Sequence, residues 1–299
     1  MPDRRLRRSV TIIAAALVAA AAAVTAVALW PAPAGRAADA TPAPAAEPAP
    51  SPSPSPTQAG YPADDATYDV AGLPATEVFS VIPGLPTDDD PFGDPTGLVA
   101  QASGDAAPVF AEPGGDPVAV LPREQRYGGT TVPVVERQEH WLKVLVAGRQ
   151  GLPGSGDPSQ AIGWVRAGDV AVTENAHRVD VDLAAGTIAI SGAGEREAVA
   201  GPFAWGAAAT PTAVGRSFIM LNETVAFDYT RGHPMVYLSV QSPTLAGFDG
   251  QDQATIAFHY HDAHEGAISN GCLRLGAEAI DRIAQLPLGT PVYVHGADA

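Results

Sequence analysis

The stretch Ala254–Leu275, ATIAFHYHDAHEGAISNGCLRL, gathers most of the side chains able to do covalent chemistry. It holds three of the seven histidines (His259, His261, His264), the single cysteine, Cys272, and Arg274. A thiolate is a strong nucleophile, and a neighbouring imidazole lowers the pKa of a thiol. A strand ending at His259, a turn, then Ser269-Asn270-Gly271-Cys272 would set imidazole and sulfur on adjacent backbone segments. Gly271 lets another chain approach closely, and the amides around residues 270–272 are candidate oxyanion donors. His261 lies two residues from His259, on the same face of a strand, and is the alternative base. His259, His261, His264 and Cys272 also include zinc-type ligands, and H-x-H on a strand is a metal-binding spacing. Neither a CxxC nor an HExxH pattern accompanies them, so the site is read as metal-free and without a cofactor. One cysteine excludes an internal disulfide.

The elements that must hold these residues are mostly strands. Val179–Leu183 alternates as V-D-V-D-L, and Thr187–Ile190 follows across Ala184-Ala185-Gly186, a hairpin pattern. Further strands are expected at 217–221, 225–229, 235–240, 254–259 and 291–295. A helix fits 276–286, where Ala279, Ile280, Ile283 and Leu286 fall at helical spacing and Pro287 and Gly289 end it.

Ser269-Asn270-Gly271-Cys272-Leu273-Arg274 resembles the S-x-G-C-apolar-R signature of YkuD-type L,D-transpeptidases. Ile256-Ala257-Phe258-His259 is similar to the strand carrying that family's base histidine. Thr210-Pro211-Thr212-Ala213-Val214-Gly215-Arg216-Ser217-Phe218 resembles its T-P-x-G-x-F stretch, with two extra residues before Gly215. Val179–Leu183 and Leu288–Val294 resemble its first and last strands. The resemblance implies a β-rich catalytic domain over residues 176–299 acting on peptidoglycan stem peptides. It implies that Cys272 attacks the amide after the third stem residue, expels D-alanine and forms a thioester, with His259 as general base and acid. An amine of a second stem would then give a 3→3 cross-link. Gly271, Asn270, Ser269 and Arg274 are the substrate-binding or oxyanion residues by position, Arg274 being suited to a carboxylate. The chain departs from the pattern at Asn270, where many members have His, at Tyr260, often Gly, and in the short spacing from His259 to Cys272. Two other readings are an L,D-carboxypeptidase using water and a wall-binding protein with a silent catalytic fold.

Residues 97–175 read as a small all-β unit. Apolar runs at Val109-Phe110, Val118–Leu121, Thr131–Val135, Trp141–Val146 and Ile162–Val165 are separated by glycine-rich turns. Trp141-Leu142-Lys143-Val144 and Gly163-Trp164-Val165 resemble the W-x-K-V and G-W-V strands of bacterial SH3-like barrels. The two tryptophans are read chiefly as core. The fold class is therefore mostly β: an SH3-like barrel, then a YkuD-type domain with a short helix.

The remaining sequence concerns delivery. Residues 41–96 are a Pro-, Ala- and Asp-rich linker, with Asp88–Asp90 a solvated acidic run. Residues 31–62 carry 10 of the 29 prolines and suit an extended spacer reaching on the order of 100 Å. Residues 1–40 read as a signal peptide or a signal anchor: arginines at 4, 5, 7 and 8 precede twenty uncharged residues, about 30 Å as a helix. Either way the rest is extracytoplasmic, at the cell wall or the outer face of the cytoplasmic membrane, touching that membrane through the N-terminal segment if it is retained. The net charge is −16, with 17 basic against 33 acidic residues. That balance argues against a nucleic-acid partner.

Overall fold

Strands form over most of the β-branched and aromatic runs, and they account for nearly all regular structure among the described residues. The computed structural model describes residues 60–296 except Ala193 and Ala200. The expected targeting segment (1–40) and the proline-rich stretch up to residue 59 lie outside the described residues. No helix among the described residues is long and apolar enough to cross a membrane.

The first seven strands are β1 (Leu98–Ala102), β2 (Ala106–Phe110), β3 (Pro117–Pro122), β4 (Val132–Arg137), β5 (Trp141–Arg149), β6 (Gln160–Arg166) and β7 (Val170–Glu174). They form one sheet in the order β3-β2-β6-β5-β4-β1-β7, with antiparallel pairing throughout. Trp141 and Trp164 pack with Phe110, as expected of core tryptophans, and the indole N–H of Trp141 donates to the Pro62 carbonyl at 2.9 Å.

The other ten are β8 (Arg178–Asp182), β9 (Thr187–Gly192), β10 (Glu195–Ala198), β11 (Ala204–Gly206), β12 (Gly215–Glu223), β13 (Met235–Gln241), β14 (Thr255–Tyr260), β15 (Gly266–Ser269), β16 (Leu273–Leu275) and β17 (Pro291–His295). Their order is β10-β9-β8-β17-β12-β13-β14-β16-β11-β15. Parallel pairing occurs at β8/β17, β14/β16 and β11/β15. A single described α-helix, α1 (Ala277–Ile283), buries Ala279, Ile280 and Ile283 against this sheet. It is shorter than the 276–286 expected. Residues 225–229, expected as a strand, are irregular and lead into a 3-10 turn at Asp228–Thr230.

The two sheets have no strand in common and pack against each other through β12 and β13. Successive residues of a strand face opposite ways, and β12 uses both faces. Ile219 joins the core of the ten-stranded sheet. Phe218 and Met220 join the core of the seven-stranded sheet. The face of β12 and β13 that carries Phe218, Met220 and Tyr237 is thus covered by the first sheet.

The segment expected as a linker through residue 96 is not one along its described length. Val78, Ile82 and Leu85 are buried in the first core, because apolar islands between turn residues can pack without forming regular strands. Asp88 corrects the reading of a solvated acidic run. Its carboxylate takes Nε and Nη2 of Arg216 at 2.7 and 2.8 Å, with both side chains almost fully buried. Asp89 pairs with Lys143 at 2.6 Å.

Candidate active site

The site begins with a register. In the parallel ladder of β14 and β16, Phe258 pairs with Leu273 and His259 with Arg274. Phe258 and Leu273 point into the apolar core. His259, Arg274 and, by alternation, Cys272 share the opposite face. Met235 and Tyr237 of β13 pair with His259 and Ala257 and extend that face. It is the face that the seven-stranded sheet covers farther along, at β12. Cys272 immediately precedes β16, two residues before Arg274, the partner of His259.

The turn that presents the thiol is tightly tied. Ser269 is buried; its hydroxyl donates to the Cys272 carbonyl at 2.6 Å and accepts the Gly271 N–H at 3.1 Å. Thr212 is also buried; its hydroxyl accepts the Gly206 N–H at 2.9 Å and donates to the Gly271 carbonyl at 2.8 Å. Thr210 donates to the Ser269 carbonyl at 3.1 Å. Gly271 adopts φ +113°, where a side chain is strained.

These bonds correct two expectations. Ser269 is not free to touch a substrate, because its hydroxyl is used within the turn. The Gly271 N–H is committed to Ser269, so it is not an oxyanion donor in this arrangement. Asn270 is exposed at the turn and faces solvent.

The two histidines differ in their tautomers. His259 Nδ1 lies 2.9 Å from the Tyr260 carbonyl. A carbonyl can only accept, so Nδ1 carries the proton and Nε2 keeps a free lone pair. His261 Nδ1 accepts the Ala263 N–H at 2.9 Å. Its neutral ring therefore carries the proton on Nε2 and offers no outward lone pair. His264 Nδ1 turns away to the His261 carbonyl at 2.7 Å. Among the described residues, no three His, Cys, Asp or Glu side chains converge as a metal site would need.

Burial favours the neutral form of both His259 and Cys272. Burial pushes the His259 pKa down to about 4, and the Arg274 charge adds to this. Cys272 is half-buried as a residue, but packing around its sulfur raises the thiol pKa, against the opposing pull of the Ala257 N–H and Arg274. The sulfur lies 3.9 Å from the Thr255 carbonyl. Arg274 Nε is buried without a hydrogen-bond partner among the described residues.

Sequence reasoning missed two tyrosines. Tyr229 packs edge-on to His259 with ring centroids 5.2 Å apart. Its pKa is raised by burial and then by Cys272. Tyr237 is pushed up to about 12, mainly by burial. Neither stands in a motif; only the fold brings them near the thiol. Thr210 and Thr212 did lie in a quoted motif, though their bracing role was not legible there.

Residues 176–294 match the family model described as YkuD, the L,D-transpeptidase catalytic domain. No curated protein matches the chain. Among solved structures, an L,D-transpeptidase (Yku) from Stackebrandtia nassauensis is 19% identical, with 42% of this chain and 57% of that chain covered and a TM-score of 0.31. This chain thus spans little more than half the length of that protein. An L,D-transpeptidase from Mycobacterium smegmatis is 16% identical, covering 52% and 91%, with a TM-score of 0.32. One from Mycobacterium tuberculosis H37Rv is 15% identical over the same shares, with a TM-score of 0.33.

Proposed function

We propose, on the premise that residues 176–294 carry a YkuD-type L,D-transpeptidase catalytic domain, that this protein is a peptidoglycan L,D-transpeptidase with Cys272 as nucleophile and His259 as base. The observation that supports the reading most is the β14/β16 register, which pairs His259 with Arg274, two residues from Cys272. The tautomer of His259 leaves Nε2 able to take a proton, which supports His259 over His261.

The resting pair is a neutral thiol and a neutral imidazole. Proton transfer therefore accompanies attack. His259 Nε2 takes the thiol proton as sulfur bonds to the carbonyl carbon of the amide after the third stem residue. The carbon–nitrogen bond then breaks, and the imidazolium returns the proton to the departing D-alanine nitrogen. A thioester remains on Cys272. An amine of a second stem attacks it, losing its extra proton to His259. Sulfur leaves and is reprotonated, and a 3→3 amide remains. With the Gly271 N–H committed elsewhere, amides flanking the turn and the exposed Asn270 are the candidates to meet the developing oxyanion. The buried Nε of Arg274, without a hydrogen-bond partner among the described residues, supports reading this residue as the one that receives a substrate carboxylate.

The seven-stranded sheet is read as the SH3-like unit. The W-x-K-V strand β5 and the G-W-V strand β6 are neighbours, with Lys143 opposite Trp164. A peptidoglycan substrate places the protein outside the cytoplasm, consistent with the basic and apolar N-terminal sequence. Incubation with disaccharide-tetrapeptide tests the activity. Released D-alanine with a cross-linked dimer supports the transpeptidase, and tripeptide alone indicates a carboxypeptidase. Neither product, from folded protein, leaves the wall-binding reading.

A further inference from the structure

Arg149, at the end of β5, is 1% exposed. Among the described residues no carboxylate pairs with it. Its guanidinium instead donates to three backbone carbonyls: Nη1 to Leu245 at 3.5 Å, and Nη2 to Ala246 at 2.5 Å and Asp252 at 3.2 Å. Nε is buried without a partner, and burial lowers the pKa of the group. A buried cation without a counter-charge costs several kcal/mol unless hydrogen bonds compensate. Here they all go to one loop, residues 242–254, which joins β13 to β14.

That loop leads directly into the site. It runs into Thr255, whose carbonyl faces the Cys272 sulfur. Thr244 donates from the loop to the Ala209 carbonyl at 3.1 Å, beside Thr210 and Thr212, which brace the 269–271 turn. Asp249 of the loop and Cys272 both bear on the Tyr229 phenol. The base of the loop is tied to the first core as well, since Gln241 donates to the Val78 carbonyl at 2.8 Å and accepts the Ala254 N–H at 3.0 Å.

We propose that Arg149 is a positioning residue that holds loop 242–254 in place beside Cys272. The seven-stranded sheet is then a working part of the acyl-transfer site and not a detached wall-binding module. The proposal rests on the reading of Cys272 as nucleophile. Lysine replaces the arginine only in part, because an ammonium is a compact point charge and the guanidinium is a fork that reaches separated acceptors.

The test uses the full chain as wild type, Arg149→Met and Arg149→Lys, with two readouts. One is amide hydrogen exchange across 243–253. The other is the rate of Cys272 acylation by a carbapenem. Expected in both variants is exchange about tenfold faster within the loop, while protection of the strands is kept. Acylation should slow about tenfold in Arg149→Met and less in Arg149→Lys. Wild-type loop exchange and wild-type acylation in the folded variants would overturn the proposal. If Arg149→Met does not fold, Arg149→Lys decides by the same criteria. If wild-type Cys272 takes no carbapenem, the nucleophile reading fails separately, and loop exchange alone decides the positioning claim.

Discussion

His259 stands opposite Arg274 in the parallel ladder of β14 and β16, and that pairing places Cys272 on the face carrying the imidazole. A shift of one residue would turn the thiol into the apolar core, since alternate residues face opposite sides. The register is held by Phe258 and Leu273, which bury their side chains on the other face.

The thiol should titrate late. Packing raises the Cys272 pKa above its usual value near 9. Alkylation by iodoacetamide should therefore keep accelerating as pH rises beyond about 9. A reactivity plateau already reached near neutral pH would show a preformed thiolate–imidazolium pair and contradict the neutral resting state.

Burial holds His259 near pKa 4, below the usual 6.5. Between those values the unfolded chain binds a proton that the folded chain refuses. The stability linked to neutral His259 is complete above about pH 6.5 and declines as pH falls, by about 2–3 kcal/mol near pH 4.5. His259→Gln should lose this part of the pH dependence while the carboxylate contribution stays. Urea midpoints for both proteins at about pH 7 and pH 4.5 measure it, and parallel declines would refute the assignment.

Thr212 satisfies two buried backbone groups near the nucleophile. Thr212→Val leaves the Gly206 N–H and the Gly271 carbonyl without their partner. It should cost about 1–3 kcal/mol and slow acylation of Cys272. Thr212→Ser keeps the hydroxyl and should recover both. A loss in Thr212→Ser with Thr212→Val unchanged would mean that the methyl group matters and the hydrogen bonds do not.

The Asp88–Arg216 pair joins the segment before β1 to β12. Asp88→Asn leaves a buried guanidinium without its counter-charge and should cost about 3–5 kcal/mol. Replacing both residues by apolar ones should cost less than either single change. Denaturation midpoints of the two singles and the double test this, and additive losses would show that the two groups do not interact.

Local patterns carried far in this sequence, and long-range pairs did not. The V-D-V-D-L alternation became β8, with Val179 and Val181 buried. Val118–Leu121 and Trp141–Val146 fell within β3 and β5. Cys272 and His259 are proposed from residue chemistry and motif order, which is possible because the β14/β16 pairing joins segments close in sequence. Asp88 was misread because its partner lies 128 residues away, and an acidic triplet looks solvated without it. Ser269 reads as a substrate-binding or oxyanion residue by position, because sequence does not show which hydrogen bonds a turn uses internally. Arg149 carried no signal, since its partners are backbone carbonyls of a loop 96 to 103 residues on.

The most direct measurement is the intact mass of the folded protein after exposure to a carbapenem, with peptide mapping and a Cys272→Ala control. The account predicts one covalent adduct, mapped to Cys272 and absent from the control. An unchanged wild-type mass, or an adduct that persists in Cys272→Ala, would contradict it.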